Sequence, residues 1–474
     1  MSDKFYLTTP IFYPNAKLHL GHAYVATLSD VIARYHRLVG SETYLLTGAD
    51  ENTQKIIAPA LAAGQTPQEF LDEKVLGFKE LFVALNISYD QFIRTSDQMA
   101  HWPGAVALWG RLVAAGDIYK KEYEGLYCVG HEAFVTEKDL QEGRCPDHGT
   151  VPEHIKEENY FFRLSKYTDV LRQKIESGAL SIVPETRERE ILSLLSGGLQ
   201  DVSFSRPRNT NSVGIPVPGD DTQVMYVWCD ALANYITALG YGQDETLFKK
   251  FWPADVHIVG KDILRFHAAI WPAMLLSAGI LLPKKVLVHG MLLSGGKKMS
   301  KTLGNVIDPG ELLAEYGTDA VRYYLARHIS PFEDGDITRE HFKEMYNANL
   351  ANGLGNLVAR IMKLAEDHLP KGTRPEVAEF PSNYTDALEK FDIKSAIDEV
   401  FRHVQALDQK ITETQPFKVV KTDPEAGKKL IFDLTQELYF VGRLLNPFVP
   451  QTSEAIKTAV VQNKKPETLF PRKD

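Results

Sequence analysis

The order of the first predicted elements constrains the fold of this 474-residue chain more than any other feature. Apolar residues 5–8 predict a short β-strand, and a turn with proline and asparagine follows it. Apolar side chains then recur at helical spacing over residues 25–38, and Gly40 marks the end of the helix. Strand, loop and helix in this order begin a βαβ unit, which predicts an α/β fold with a parallel sheet.

The alternation of strands and helices is interrupted once and is later replaced by helices alone. Short mixed segments with cysteine and histidine pairs begin near residue 117, and buried strands are predicted again at 256–259 and 286–293. We therefore expect a Rossmann-type doubly wound sheet with an inserted connective domain, followed by an α-helical bundle. The predicted boundaries are 1–116 and 216–308 for the two halves of the Rossmann domain, 117–215 for the insertion, 309–345 for a linking stem, and 346–474 for the bundle.

Composition excludes several classes of protein. The formal net charge is −9, which argues against a nucleic-acid binder that ignores sequence. Three cysteines are too few for a disulfide scaffold and fit a reducing compartment. The chain opens without an apolar signal segment, and no apolar run is long enough to span a membrane. We expect a cytoplasmic enzyme with no membrane partner.

A short motif at the predicted start of the first long helix indicates a phosphate-binding site. The motif is His19-Leu20-Gly21-His22. Free backbone N–H groups and the positive end of the helix dipole would face a bound phosphate there. His19 and His22 would project to the same side, and Gly21 would let an adenosine approach the backbone closely.

A second motif, Lys298-Met299-Ser300-Lys301, lies far downstream in a glycine-rich loop. Its two lysines could fold over the β- and γ-phosphates of a nucleotide. A lysine run alone usually marks only a solvated surface, and it is the combination with the first motif that favours a functional site.

Together the two motifs resemble the HIGH and KMSKS signatures of class I aminoacyl-tRNA synthetases. Further strings extend the resemblance to the methionyl-tRNA synthetase family over essentially the whole chain. These strings are Thr9-Pro10-Ile11-Phe12-Tyr13, Gly48-Ala49-Asp50-Glu51, Tyr226-Val227-Trp228-Cys229-Asp230-Ala231, and Gly260-Lys261-Asp262-Ile263 through His267.

The resemblance implies a two-step reaction. Methionine and Mg²⁺-ATP would give methionyl-adenylate and pyrophosphate, and the methionyl group would then pass to the terminal adenosine of initiator or elongator tRNA(Met). The residues implied in catalysis are His19, His22, Lys298 and Lys301. The residues implied in ATP binding are His19, Gly21, His22, Lys261, Asp262, Lys298, Met299, Ser300 and Lys301.

The resemblance also implies a methionine pocket formed by Ile11, Tyr13, Asp50, Trp228, Ala231, Leu232, Tyr235, Ile263 and His267. Aromatic rings suit a polarizable thioether, a buried hydroxyl or imidazole could offer its sulfur a weak hydrogen bond, and Asp50 would pair with the ammonium group. Without the resemblance, an ordinary aromatic core would be the favoured interpretation of Trp228 and Tyr235. Arg206 would return to the active site from the insertion.

Two positions depart from the family pattern. Asn52-Thr53 stand where relatives commonly have His-Gly, and Val213 stands where tryptophan is frequent. Both departures bear on substrate discrimination.

The insertion carries two pairs of candidate zinc ligands, Cys128 with His131 and Cys145 with His148. Four such ligands suit a tetrahedral structural Zn²⁺ and would close its coordination shell, which argues against a catalytic metal. The alternative is a knuckle that keeps its shape without metal.

The helical region carries the residues that the resemblance assigns to the anticodon. Asn352, Asn356 and Arg360 are spaced at i, i+4 and i+8 on one predicted helix, and Phe417 stands where a stacking tryptophan is usual. The alternative is a polar, solvated helix face. The chain ends at Asp474 without an appended tRNA-binding module, so a monomer is expected.

Three other functions remain open from the sequence. They are a class I synthetase for leucine, valine or cysteine, a nucleotidylyltransferase that acts without tRNA, and a non-catalytic tRNA-binding paralogue. Pyrophosphate exchange with different amino acids distinguishes them.

Overall fold

The computed structural model describes residues 3–52, 56–128, 133–135, 137–146, 149–208, 214–299, 305–370 and 375–474. For Ala58, Ala133, Phe134 and Lys298 it describes the backbone but not the side chain. The strands are, in chain order, β1 (Lys4–Phe12), β2 (Glu42–Ala49), β3 (Gln91–Arg94), β4 (Ile118–Cys128), β5 (Ala133–Val135), β6 (Glu153–Phe162), β7 (Ser181–Val183), β8 (Val202–Ser203), β9 (Ser205–Pro207), β10 (Pro216–Val217), β11 (Asp220–Met225), β12 (Val256–Gly260), β13 (Lys285–His289), β14 (Leu292–Ser294), β15 (Lys297–Lys298) and β16 (Gly335–Asp336).

The helices are, in chain order, α1 (Leu20–Leu38), α2 (Ile57–Ala62), α3 (Pro67–Ala84), α4 (Trp102–Ala114), α5 (Thr168–Glu176), α6 (Glu185–Ser196), α7 (Val227–Thr237), α8 (Thr246–Phe251), α9 (Trp271–Ala278), α10 (Pro309–Tyr316), α11 (Thr318–Arg327), α12 (Arg339–Met345), α13 (Asn356–His368), α14 (Ser382–Glu389), α15 (Ile393–Thr414), α16 (Pro416–Thr422), α17 (Pro424–Leu444) and α18 (Pro450–Gln462). Two π-helical segments, Phe266–Ile270 and Tyr346–Gly355, interrupt this series. None of these described helices is long and apolar enough to cross a membrane.

A six-stranded parallel sheet in the order β3-β2-β1-β12-β13-β7 forms the centre of the molecule. The chain winds outward from β1 in one direction and from β12 in the other, which confirms the predicted doubly wound α/β fold. Neighbouring residues face opposite sides: Leu287 packs in one hydrophobic cluster, whereas Val286 and Val288 pack in the other. Because helices cover both faces, the strands are apolar on both sides.

Residues 118–225 contribute two small antiparallel sheets, in the orders β5-β4-β6-β8 and β10-β11-β9. Strands β10 and β11 lie after residue 215, the predicted end of the insertion. Its predicted range, 117–215, includes one segment that does not belong to these sheets. Strand β7 pairs in parallel with β13 and forms an edge of the central sheet. The chain therefore contributes one strand to the main sheet within this range. The short apolar segment Leu180-Ser181-Ile182 pairs with β13, about a hundred residues later in the sequence.

The predicted strand at 286–293 is wrong as a continuous element. The structure divides it at Gly290 and Met291 into β13, in the central sheet, and β14, which pairs with β15 and β16 in a separate sheet. A β-carbon on Gly290 would lie 2.0 Å from the carbonyl oxygen of Glu333, so only glycine admits that close approach. The break thus depends on a contact from a distant part of the chain.

The helical region shares one continuous core with a face of the central sheet, from Leu7 and Val31 to Leu438 and Ile456. A fully buried arginine, Arg322, joins the two parts. Its guanidinium lies 2.7 Å from a carboxylate oxygen of Asp30 in α1 and donates to the carbonyl oxygens of Leu85, Pro447 and Phe448. The first long helix of the Rossmann domain is therefore fixed directly to the bundle.

Candidate active site

A cavity of about 310 Å³ opens beside the carboxyl ends of β1 and β12, where the winding direction of the sheet reverses. This position is where open α/β sheets bind their ligands. Its walls come from the end of β1, the start of α1, helix α7, the segment after β12 and the segment after β13. The sequence-predicted residues among its lining are Ile11, Tyr13, His19, Gly21, His22, Asp50, Trp228, Ala231, Leu232, Tyr235, Asp262, Ile263, His267 and Met299.

The two histidines of the first motif cap helix α1. Nδ1 of His19 accepts the backbone N–H of Gly21 at 3.1 Å, and Nδ1 of His22 accepts the backbone N–H of His19 at 3.1 Å. Each ring therefore carries its proton on Nε2, because a ring nitrogen that accepts a hydrogen bond has no proton. A β-carbon on Gly21 would lie 2.9 Å from Cε1 of His19, so glycine is needed for the cap itself.

Burial keeps His22 uncharged. Desolvation, with a smaller contribution from His19, lowers the pKa of His22 to about 3. The two rings lie 3.9 Å apart between centroids at the positive end of a 19-residue helix. The motif thus offers neutral N–H donors and a helix dipole, which together suit a phosphate better than they suit a cation.

A second group of side chains lines the part of the cavity near α7. The hydroxyl of Tyr235 lies 2.7 Å from Nε2 of His267, and Nδ1 of His267 lies 2.9 Å from the carbonyl oxygen of Ile263. Burial lowers the pKa of His267 to about 4, so this ring is neutral as well. Asp50 is 3% exposed and faces the same cavity. The arrangement places one carboxylate beside an otherwise aromatic and aliphatic pocket.

The indole of Trp228 stacks on Phe266, with ring centroids 3.5 Å apart and ring planes 13° from parallel. Phe266 begins the π-helical segment Phe266–Ile270, and such segments occur frequently at functional sites. Phe266 could not be recognised as a site residue from the sequence, because a contact between residues so far apart in the chain leaves no local pattern.

The second motif follows a tight hairpin. Gly295 and Gly296 both have positive φ and connect β14 to β15, where Lys298 pairs with Leu293. Met299 lines the cavity, so the second motif reaches the same cavity as the first. The side chain of Lys298 and residues Ser300 and Lys301 lie outside the described part of the chain.

Two residues expected at the active site do not line the cavity. Lys261 is not among the cavity-lining residues, and its ammonium group lies 2.7 Å from a carboxylate oxygen of Asp334. Arg206 is also absent from the lining; it pairs with Glu157 at 2.7 Å and lies over the ring of Tyr127. Each of the two cations pairs with an acidic residue that is remote in sequence. Sequence spacing cannot reveal such a pair.

Several lining residues were missed by the sequence analysis: Pro10, Phe12, Tyr24, Val25, Asn234, Gly260, His289, Gly290, Met291 and Leu292. Most of them flank a motif that was recognised. His289 and Gly290 follow the end of β13, and a residue at the carboxyl end of a parallel strand is the signal that could have identified them.

Of the four candidate zinc ligands, the structure describes two, and His131 and His148 lie outside the described residues. Cys128 ends β4 and Cys145 precedes a tight turn; both are buried, at 0% and 1% exposure. Within the described ranges, no group of three or more potential ligands comes together.

The predicted anticodon residues lie on and after a π-helix. Asn352 lies in the segment Tyr346–Gly355 and Asn356 begins α13, so the regular helical spacing assumed from the sequence is altered there. Both are exposed and line a groove with the C-terminal residues 465–470 and 472. Arg360 pairs with Asp408 at 2.6 Å, outside that groove, and Phe417 is 40% exposed.

The sheet, the reversal point and the capped histidine motif define a nucleotide-binding class of α/β protein. A family model described as tRNA synthetases class I (M) matches residues 5–151 and 137–362. The chain belongs to this family of class I tRNA synthetases.

Relatives and a solved structure match this chain over nearly its whole length. A methionine–tRNA ligase of Clostridium acetobutylicum is 44% identical, over 96% of this chain and 73% of the relative. One of Brucella suis is 41% identical, over 96% of this chain and 91% of the relative. The solved structure of Mycobacterium tuberculosis methionyl-tRNA synthetase in complex with methionyl-adenylate is 36% identical, with a TM-score of 0.89, over 100% of this chain and 99% of that one.

Proposed function

We propose that this chain is a methionine–tRNA ligase. It activates L-methionine with ATP to give methionyl-adenylate and pyrophosphate, and then transfers the methionyl group to the 3′-terminal adenosine of tRNA(Met). The observation that carries the proposal is that the capped histidines of α1 and the aromatic side chains of α7 line the same cavity. Similarity to relatives named methionine–tRNA ligase supports it.

In the first step, a carboxylate oxygen of methionine attacks the α-phosphorus, and pyrophosphate leaves with the electron pair of the broken P–O bond. Nε2–H of His19 and of His22 donate hydrogen bonds to phosphate oxygens as negative charge develops there. Lys298 and Lys301 stabilise the β- and γ-phosphates, and Mg²⁺ enters with ATP. Asp50 pairs with the ammonium group of methionine. In the second step, the 2′-hydroxyl of the adenosine attacks the adenylate carbonyl, and AMP leaves.

Pyrophosphate exchange is the direct test of the proposal. We expect exchange of labelled pyrophosphate into ATP with methionine, and none with leucine, valine, isoleucine, cysteine or no amino acid. Exchange with one of the other amino acids would show that the pocket does not select methionine. It would leave the assignment of amino-acid activation with ATP in place. No exchange from folded protein would contradict the proposal. Lys301→Ala should lose exchange and keep the fold.

The bundle is the proposed anticodon-binding domain. The exposed amides of Asn352 and Asn356 are suited to the edges of unstacked bases, and Phe417 supplies an exposed ring for stacking. Asn356→Ala should raise the KM for tRNA(Met), initiator and elongator alike, and leave pyrophosphate exchange unchanged. A loss of exchange in this variant would assign the residue to folding instead.

A structural Zn²⁺ held by Cys128, His131, Cys145 and His148 completes the proposal. The backbone at Cys145 supports it: its N–H donates to the carbonyl oxygen of Thr150 at 2.8 Å, and Gly149, with φ of 66°, donates to its carbonyl oxygen at 2.7 Å. Such a tight turn suits a knuckle. Protein purified without chelator should contain one zinc per chain; a value well below one would exclude the metal. We also propose that the chain is cytoplasmic and that it is a monomer. Light scattering tests the monomeric state.

A further inference from the structure

A cluster of fully buried polar side chains lies behind the amino-acid end of the cavity. Its centre is Asp230 in α7, which is 0% exposed. One carboxylate oxygen of Asp230 lies 2.6 Å from Nε2 of His101, and the other accepts a hydrogen bond from Nδ2 of Asn52 at 2.5 Å. His101 is 0% exposed and Asn52 is 4% exposed. Both oxygens of a buried carboxylate are therefore satisfied, as burial of such a group requires.

The remaining polar atoms of the cluster extend it to two more backbone segments. Nδ2 of Asn52 also donates to the carbonyl oxygen of Thr95 at 3.0 Å, and Nδ1 of His101 lies 2.8 Å from the hydroxyl of Thr237. A neutral imidazole satisfies every contact, since Nε2–H donates to Asp230 and Nδ1 accepts from the Thr237 hydroxyl.

The cluster joins the two walls of the pocket that face the amino acid. Asn52 follows Asp50 by two residues at the end of β2, whereas Asp230 lies on α7 between Trp228 and Ala231, which line the cavity. Helix α4, which follows His101, packs against α7 so closely that a β-carbon on Gly104 would lie 2.6 Å from Cγ2 of Thr237. A shift of any one segment would therefore move the Asp50 carboxylate relative to the aromatic wall.

We propose that Asn52, His101 and Asp230 form a positioning network that sets the distance between Asp50 and the α7 wall, and so determines the affinity for the amino acid. None of the three lines the cavity, so they act through Asp50 and through the side chains of α7. The inference rests on the proposed function, because it takes the amino acid to be the ligand of that wall.

The test compares the KM for methionine with the KM for ATP in pyrophosphate exchange. Asn52→Leu and Asp230→Asn should each raise the methionine KM about tenfold or more and change the ATP KM less than about twofold, since each leaves a buried group unpaired. Because the two residues share one contact, the double variant should be less impaired than the product of the single effects.

Two further variants separate positioning from folding. Asp117→Asn alters another buried carboxylate, which accepts from Lys166, Tyr167 and Ser277 outside the cavity, and should lower the Tm without changing the methionine KM. His101→Gln keeps a donor near the position of Nε2 and should recover most of the affinity that His101→Leu loses. If the cluster variants shift the two KM values equally, or behave as Asp117→Asn does, the inference is wrong. If the unsubstituted chain shows no methionine-dependent exchange, the proposed function fails and the inference fails with it.

Discussion

The hydroxyl of Tyr235 donates its hydrogen bond to Nε2 of His267, across 2.7 Å, and not into the cavity. The direction is fixed by the other side of the imidazole, because Nδ1 must carry the proton that reaches the carbonyl oxygen of Ile263. In this arrangement the phenol proton is not available to a ligand in the cavity. Contact with a thioether would then depend on packing and polarizability more than on a hydrogen bond to sulfur.

Removing the hydroxyl of Tyr235 tests the role of its hydrogen bond with His267. Tyr235→Phe leaves Nε2 of His267 without its donor in a buried site, which costs about 1–3 kcal/mol. We expect the methionine KM in pyrophosphate exchange to rise about tenfold, with the ATP KM nearly unchanged. Tyr324→Phe is the matched control, since the Tyr324 hydroxyl is buried and has no hydrogen-bond partner among the described residues. Equal effects of the two variants would contradict the assignment.

The capped histidines allow helix capping and catalysis to be separated. Asparagine is a good N-cap residue, so His19→Asn should keep the stability of α1 while it removes the Nε2–H donor. We expect pyrophosphate exchange to fall about 100-fold or more, which is the usual effect of losing one donor to developing charge. His19→Ala should add a loss of about 1 kcal/mol in unfolding free energy. Retained exchange in His19→Asn would limit His19 to capping.

Local patterns predicted the parts of the fold that local chemistry determines. The opening strand, and the helix that follows it and ends just before Gly40, are as the sequence indicates. The break at Gly290 was not predictable, because it requires the carbonyl oxygen of Glu333. The partners of Lys261 and Arg206 were missed for the same reason, since each acidic partner is far away in sequence.

Buried neutral histidines should make the fold sensitive to acid. Burial lowers the pKa of His22 to about 3 and the pKa values of His36 and His267 to about 4. In the unfolded chain these histidines bind protons near pH 6.5. The free energy of unfolding is therefore at its full value above that pH and falls as the pH drops toward 4. Each histidine contributes up to about 3 kcal/mol to that loss. Urea unfolding at pH 7 and pH 5 measures it.

A single variant should reduce this sensitivity. His36 stacks on Phe5 with centroids 3.4 Å apart, so His36→Phe keeps an aromatic contact and removes one titrating group. Its unfolding free energy should change less between pH 7 and pH 5 than that of the parent. His341→Gln, at an exposed histidine, should leave the difference as it was. An unchanged difference in His36→Phe would show that His36 is not a source of the acid sensitivity.

The buried ion pair between the Rossmann domain and the bundle should be costly to break. Arg322→Leu removes one of the two cationic partners of the buried Asp30, the other being Arg34, and takes the donor away from three carbonyl oxygens. We expect a loss of about 3–5 kcal/mol in unfolding free energy. Thermal or urea unfolding measures it. Arg189→Ala, which breaks an exposed pair with Glu185, should leave the Tm unchanged. A small effect at Arg322 would mean that the two parts are held together mainly by their shared apolar core and by other polar contacts, such as that of Tyr35 with Glu389.

The order of strands in the central sheet also bears on how the chain is synthesised. β1 lies between β2 and β12, and β12 leaves the ribosome some 250 residues after β1. Until then β1, β2 and β3 are a partial sheet whose open edge is apolar, and such edges favour aggregation. The emerging chain is therefore expected to need a chaperone for the time that translation takes to reach residue 260.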